Sequence, residues 1–219
     1  MEDILQISDS HRKFFINTGR RVEYPKGQIM SWPDDQQSWV YFLDVGFIRT
    51  SCSYADGSEN VLGYLRPGST FSQSSASFNH GGRLEMEFYA TQDCAIYRVK
   101  VEDFWNELQV NQIFSNDYLV MQLRDEMMMV DHIIWLGEHD LERRFIRWAL
   151  MMAKFYGKAE KEGGVIITVP QTQTEVAAWL SVRRETAGKM IRNFVASGHI
   201  SLKAKCLRVT NLSQLEALL

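Results

Sequence analysis

The chain has 219 residues and 45% hydrophobic content, enough for two modest domains with cores of their own, and no apolar run approaches the ~20 residues that a membrane-spanning helix needs. The net charge of −3 conceals an asymmetry: residues 1–138 carry 11 Lys and Arg against 20 Asp and Glu, whereas residues 139–219 carry 13 against 7. A basic half behind an acidic one is the footprint of a nucleic-acid module attached to something else. Cys52, Cys94 and Cys206 are scattered singly, which fits a reducing compartment and excludes a four-thiolate cluster for zinc or iron–sulfur.

The first fifteen residues, MEDILQISDSHRKFF, hold no charged segment followed by an apolar block, so no secretory leader is expected and a cytoplasmic location follows. From about Val22 to Val99 the sequence is strand-like and punctuated by turns. Pro25-Lys26-Gly27-Gln28 and Trp32-Pro33-Asp34-Asp35 precede the apolar run Trp39–Leu43. Phe47–Tyr54 and Val61–Leu65 are joined through Asp56-Gly57 as a hairpin, closed by Pro67-Gly68, and further strands fit Leu84–Ala90 and Ala95–Val99. Short strands at this spacing predict an antiparallel sandwich or barrel.

Residues 102–112 fit a short helix, and Asn116–Leu136 a long one without Pro or Gly. Leu119, Leu123, Met127, Val130 and Ile134 form one apolar stripe along it, and Met121, Met128 and Trp135 a second. A helix apolar on more than one face needs cover on more than one side, from its own core or from another chain. Gly137 ends it, and Asp140 is placed to cap the next helix, Leu141 to about Phe155.

After a strand at Val165–Val169 comes the most informative stretch, Thr172 to Val195. Thr172 and Glu175 stand at capping-box spacing, and Val176, Ala177 and Leu180 form an inner stripe. After the turn at Leu180-Ser181-Val182, Ala187, Met190, Ile191 and Phe194 recur at i, i+3, i+4, i+7. The opposite face offers Arg184, Glu185, Gly188, Lys189 and Arg192. Such a helix suits a DNA major groove, where Arg and Lys reach guanine O6/N7 and Glu accepts from cytosine N4. An ordinary helical hairpin with solvated charges has the same periodicity. Ile200–Leu202 and Leu207–Val209 then flank Lys203-Ala204-Lys205 as a basic-tipped hairpin, followed by a short helix over Leu212–Leu219.

Thr172-Gln173-Thr174-Glu175-Val176-Ala177, Arg184-Glu185-Thr186 and Lys189 resemble the helix-turn-helix of the Crp/Fnr transcription regulators, and Gly27, Gly46, Asp56-Gly57 and Pro67-Gly68 fall in the order of that family's β-roll turns. The resemblance implies an α+β chain: an effector-binding β-roll over residues 1–113, a dimerisation helix over 114–137 in which Leu119, Leu123, Met127, Val130 and Ile134 meet their copies, and a winged helix-turn-helix over 138–219. It implies a bacterial homodimer on a palindromic double-stranded operator, with RNA polymerase as a further partner of an activator. By the family's pattern Arg184, Glu185 and Lys189 contact bases. Thr172, Gln173, Arg183 and Thr186 contact phosphates, joined by Lys203 and Lys205 of the wing. Two positions depart from the pattern: Ser181 stands where the turn usually has Gly, and Arg183 where the second helix usually has a Ser or Thr cap.

In cyclic-nucleotide-binding members a Gly-Glu pair and a later Arg-Ser pair hold ribose and phosphate. The matching positions here carry Ser72-Gln73, with Ser74 next, and Leu84-Glu85, with Arg83 one residue before. A carboxylate repels a phosphate, and loss of the bidentate guanidinium removes its strongest contact. The positions that meet the purine fall at Met129 and Val130, both apolar. These departures argue for a different, less polar effector than cyclic AMP, held between roll and long helix and unidentified, or for none, with no assigned cofactor or metal. A cyclic nucleotide, or haem on His80 or His132, is the alternative. No nucleophile elbow, HExxH or phosphate-cradling loop supports an enzyme. A β-roll adaptor with a degenerate DNA domain is the other non-enzymatic reading, opposed by the intact basic face at 183–192.

Overall fold

The apolar run at residues 39–43 lacks clean alternation because its strand is covered on both faces. In the computed structural model, which describes residues 9–30, 39–54, 59–72, 84–161, 163–169, 171–203 and 206–219, helix α1 (Asp9–Thr18) precedes strands β1 (Arg20–Tyr24), β2 (Trp39–Val45), β3 (Ile48–Tyr54), β4 (Glu59–Leu65), β5 (Thr70–Ser72), β6 (Leu84–Ala90) and β7 (Cys94–Lys100). They form two antiparallel sheets with strand orders β1-β7-β2-β5 and β4-β3-β6. Tyr41 and Leu43 of β2 point into a core shared with Tyr24, Ile48, Phe71, Phe88, Ala90 and Ile96, which joins the two sheets. Val40 and Phe42, one residue out of phase, pack on the other face with Phe15 of α1 and Val99 of β7. Burial on both faces yields a continuous apolar run rather than a half-buried alternation.

Gly46 shows why a turn glycine is needed here. Its φ is +93°, and a Cβ would lie 2.6 Å from both the Asp93 carbonyl oxygen and Cys94 Sγ. A side chain is excluded by backbone angle and by space together.

Helix α2 (Val101–Val110) leads into α3 (Gln112–Leu136). Helix α3 begins at Gln112, not Asn116, because Asn111 caps it: its Oδ1 accepts from the Phe114 amide at 3.1 Å. The early start lets Phe114 and Tyr118 join Phe104 and Phe15 beneath the sheet. His11 of α1 is fully buried there, stacked on Phe114 at 4.6 Å, with its Nε2 2.7 Å from Thr70 Oγ1. Helix α1 and the short β5 were not apparent in the residue pattern.

The rest comprises α4 (Leu141–Tyr156), β8 (Gly157–Ala159), β9 (Val165–Ile167), α5 (Gln173–Leu180), α6 (Arg184–Ala196), β10 (Ile200–Lys203), β11 (Cys206–Val209) and α7 (Leu212–Glu216). Asp140 caps α4 as expected, accepting from the amides of Glu142 and Arg143. The strands form a sheet ordered β10-β11-β9-β8; β8 was not anticipated, and α7 stops short of Leu219. The chain divides into two compact units, residues 1–126 and 127–219, with the division inside α3. No helix among the described residues is long and apolar enough to cross a membrane.

Candidate nucleic-acid interface

The helix pair α5–α6 is built as its sequence demands. Thr172 Oγ1 accepts from the Glu175 amide at 3.2 Å, and Glu175 Oε2 accepts from the Thr172 amide at 2.7 Å, which completes the capping box. Val176, Ala177, Trp179 and Leu180 bury the inner face of α5. Ser181 ends it with φ 52° and ψ 47°, the left-handed conformation at the position where the resemblance leads one to expect Gly, and no other non-glycine described residue has a positive φ. Arg183 occupies the cap position of α6 in extended conformation without a side-chain cap hydrogen bond. The helix still starts at Arg184 despite the missing cap.

Ala187, Gly188, Met190, Ile191 and Phe194 are the buried face of α6. Gly188 therefore leaves the open face on which the sequence pattern put it. A Cβ there would come within 3.0–3.3 Å of the side-chain amide of Gln173, which packs closely on the glycine. Arg184, Glu185, Lys189 and Arg192 are exposed, as are Arg183, Thr172 and Gln173, while Thr186 is half-buried. None of the charged side chains on this face makes an ion pair among the described residues. Three cations and one acid stand toward solvent without internal neutralisation, as a surface awaiting a polyanion requires.

The wing differs. Lys203 Nζ lies 3.1 Å from Glu160 Oε1, and Arg208 donates through Nε to Glu160 Oε2 and through Nη2 to the Gly163 carbonyl. Arg208 first and Lys203 second hold the Glu160 carboxyl below its ordinary acidity range. Lys203 thus carries an internal counter-charge. Sequence reasoning missed Glu160, because only the assembled β10-β11-β9-β8 sheet brings it to Lys203 and Arg208. Lys205 lies outside the described residues.

Along α3 the two apolar stripes part company. Leu119, Leu123, Met127, Val130 and Ile134 are 46–64% exposed, whereas Met121 and Trp135 are buried. Ile113 and Val120 are exposed as well.

The predicted effector positions fall on three elements or outside the described residues. Ser72 ends β5 half-buried, Met129 and Val130 are exposed on α3, and Leu84 and Glu85 belong to the backbone of β6, paired with Tyr54 and Ser53. Gln73, Ser74 and Arg83 lie outside the described residues, as does His80. His132 is buried against the rings of Trp135 and Trp179, at 4.5 and 4.9 Å. No cluster of His, Cys, Asp and Glu suited to a metal ion occurs among the described residues. An open cleft of about 480 Å³ lies on the roll against Arg21, Glu23, Tyr24, Val45, Asp93 and Cys94, none of them a predicted effector residue.

Residues 21–111 match the family model described as the cyclic nucleotide-binding domain, and residues 143–218 that of the Crp-like helix-turn-helix domain. The chain is 23% identical over 195 residues to a CRP-like cAMP-activated global transcriptional regulator of Mycobacterium tuberculosis, covering 89% of this chain and 85% of that protein. In fold it is similar to a CooA mutant from Carboxydothermus hydrogenoformans (TM-score 0.76, 17% identity, 98% of each chain). It is also similar to FixK2 from Bradyrhizobium japonicum (TM-score 0.71, 17% identity, 92% of this chain and 97% of that one).

Proposed function

The chain belongs to the Crp/Fnr family of DNA-binding transcription regulators, and from that premise we propose that it acts as a homodimer on a palindromic operator under the control of a small effector other than cyclic AMP. The observation that carries the dimer is the exposed apolar face of α3. Ile113, Val120, Met127 and Ile134 recur every seven residues, and Leu123 and Val130 fall midway; all six side chains are at least 46% exposed. That is the a/d spacing of a two-stranded coiled coil with β-branched residues at most a positions, and Leu119 lies beside the seam. Over 25 residues such a helix offers about 37 Å of contact length.

On DNA, Arg184, Glu185 and Lys189 read base edges from α6 while Thr172, Gln173, Arg183 and Thr186 meet phosphates. Lys203 and Lys205 add wing contacts, with Glu160 competing for Lys203. An activator would also meet RNA polymerase. The effector reading rests on residues 72–74 and 83–85, where Glu85 opposes a cyclic phosphate and no Arg-Ser pair is in register. The chain's relative in Mycobacterium tuberculosis is cAMP-activated by name, which makes the nucleotide the natural comparison ligand.

Sedimentation equilibrium at micromolar concentration should give a dimer without DNA, and gel shift on a duplex selected by the protein from a randomised pool should give a palindrome. A monomer, or a selected site without symmetry, overturns the reading. Cyclic AMP at ~100 times its dissociation constant would raise stability by roughly 2.7 kcal/mol. No shift in melting temperature is expected, and a clear rise at millimolar cyclic AMP would restore the nucleotide as effector.

A further inference from the structure

Sequence places a joint at Gly137, between the long helix and the DNA-reading domain. The residues around it are tied across that joint at several independent points. Tyr156 of α4 donates its hydroxyl to Met128 Sδ at 3.2 Å. One turn on, the His132 ring stacks on Trp135 at 4.5 Å and lies 4.9 Å from Trp179 of α5, with Trp135 and Trp179 6.5 Å apart. These centroid separations are those of favourable aromatic pairs, and the three side chains are between 1% and 9% exposed.

Beyond the helix end, Arg144 donates through Nε and Nη2 to the Glu138 carbonyl at 3.0 and 2.7 Å, and through Nη1 to the Leu180 carbonyl at 3.1 Å. Leu180 is the last residue of α5, and its carbonyl is one of those a helix end leaves without an intrahelical donor. One guanidinium therefore bridges the end of α5 to the segment that leaves α3. The Glu138 carboxylate also faces Arg143 and Arg147 of α4, at 3.6 and 3.7 Å.

We propose that residues 128–138 move as part of the DNA-reading unit, with Arg144 and Trp179 as the positioning residues that fix α5 and α6 to the last turns of α3. Gly137 is then no hinge, and any bending is taken up before Met128. The inference rests on the dimer reading for its consequence on DNA. If the α3 helices pair, the clamp makes the separation of the two reading helices a property of the seam, and half-site spacing becomes part of what the protein recognises. An added base pair turns one half-site against the other by about a tenth of a helical turn, which a rigid clamp does not follow.

The first experiment needs no dimer. Native-state hydrogen exchange of the full chain, across a denaturant series, should show residues 128–136 opening together with 145–152 and 176–180. Residues 128–136 opening with 114–121 instead, while α4 and α5 stay protected, would overturn the clamp. The second uses the selected palindrome and copies with the half-site separation changed by one or two base pairs. Wild type should lose about tenfold or more for each change, about 1.4 kcal/mol. Arg144→Met should bring all spacings within about threefold, or roughly 0.7 kcal/mol, while Arg184→Ala in that background still relaxes sequence preference as it does alone. Arg144→Met weakening every spacing equally would make Arg144 a fold-stabilising residue only, and the clamp fails. A monomer in sedimentation defeats the dimer reading alone, and hydrogen exchange then decides the clamp.

Discussion

Helices α3 and α6 each bury one face and leave the other open, and the open faces differ in kind. That of α3 carries Val120, Leu123, Met127, Val130 and Ile134; that of α6 carries Arg184, Glu185, Lys189 and Arg192. Contiguous exposed apolar surface is costly in water and marks a face that another surface covers, which the proposed dimer would supply. Exposed cations without internal partners are stable in water and gain by releasing counterions from a polyanion. On the proposed reading the open face of each helix sets the chemistry of its partner, and the buried face its place in the fold.

The sharpest way to break this contrast is to give α3 the kind of face that α6 has. Leu123→Glu with Val130→Glu would set four carboxylates in the seam of a dimer. Unpaired buried charges cost about 3–5 kcal/mol or more, so sedimentation should report a monomer at micromolar concentration with unchanged far-ultraviolet circular dichroism. An intact dimer would show that these side chains face away from the seam.

The next effect concerns the buried side of α3. Burial lowers the His11 pKa from 6.5 to about 4, only partly offset by Asp117, because the ring lies among Phe15, Phe42 and Phe114. In the unfolded chain the same ring takes up a proton near pH 6.5, so between those values unfolding binds a proton. Stability from this group is complete above about pH 6.5 and falls as pH drops toward 4, by roughly 3 kcal/mol in all. Denaturant titrations of wild type and His11→Phe at pH 7 and 4.5 should show a markedly smaller loss in the variant. Equal losses would assign acid sensitivity elsewhere.

Much of the contrast was legible in the residues. The two stripes of α3, the capping box at Thr172 and Glu175, and the departure at Ser181 depend on spacings within one or two helical turns, which sequence displays directly. Gly188 misled because its position on a helical wheel is polar-flanked, whereas its burial is set by Gln173 from the other helix. His11 and Phe15 stand at i, i+4, but one such pair around Arg12 and Lys13 is too short a pattern to announce α1. Glu160 and Arg144 were illegible for a deeper reason. Each acts on groups at least 36 residues away, Glu160 on Lys203 and Arg208, Arg144 on Leu180, and only the folded backbone supplies those neighbours.

On α6 the expected effects are smaller and chemical. Arg184→Ala should cost about 1–3 kcal/mol on the selected palindrome and relax one base pair per half-site. Gln173→Ala should weaken all sequences about equally if it meets a phosphate. Glu185→Ala should strengthen binding to scrambled duplex, since an acid near a polyanion is lost, yet reduce discrimination at the cytosine it reads. Titrations at fixed salt on both duplexes test this. Tighter binding to both with an unchanged ratio would mean that Glu185 faces solvent in the complex.

The smallest effect tests the turn that aims the open face of α6. An L-residue in the left-handed region costs roughly 1–2 kcal/mol, and Ser181 sits there at φ 52°. Glycine removes that cost but loses about 0.5–1 kcal/mol more conformational entropy on folding. Ser181→Gly should therefore stabilise by less than about 1 kcal/mol, seen as a small rise in denaturation midpoint at constant m-value. Affinity for the palindrome should stay within about twofold, or 0.4 kcal/mol, because the backbone angles that point α6 toward DNA are retained. A loss of stability would show that the polar interaction made by Ser181 outweighs the strain, and that serine is the better residue for this turn.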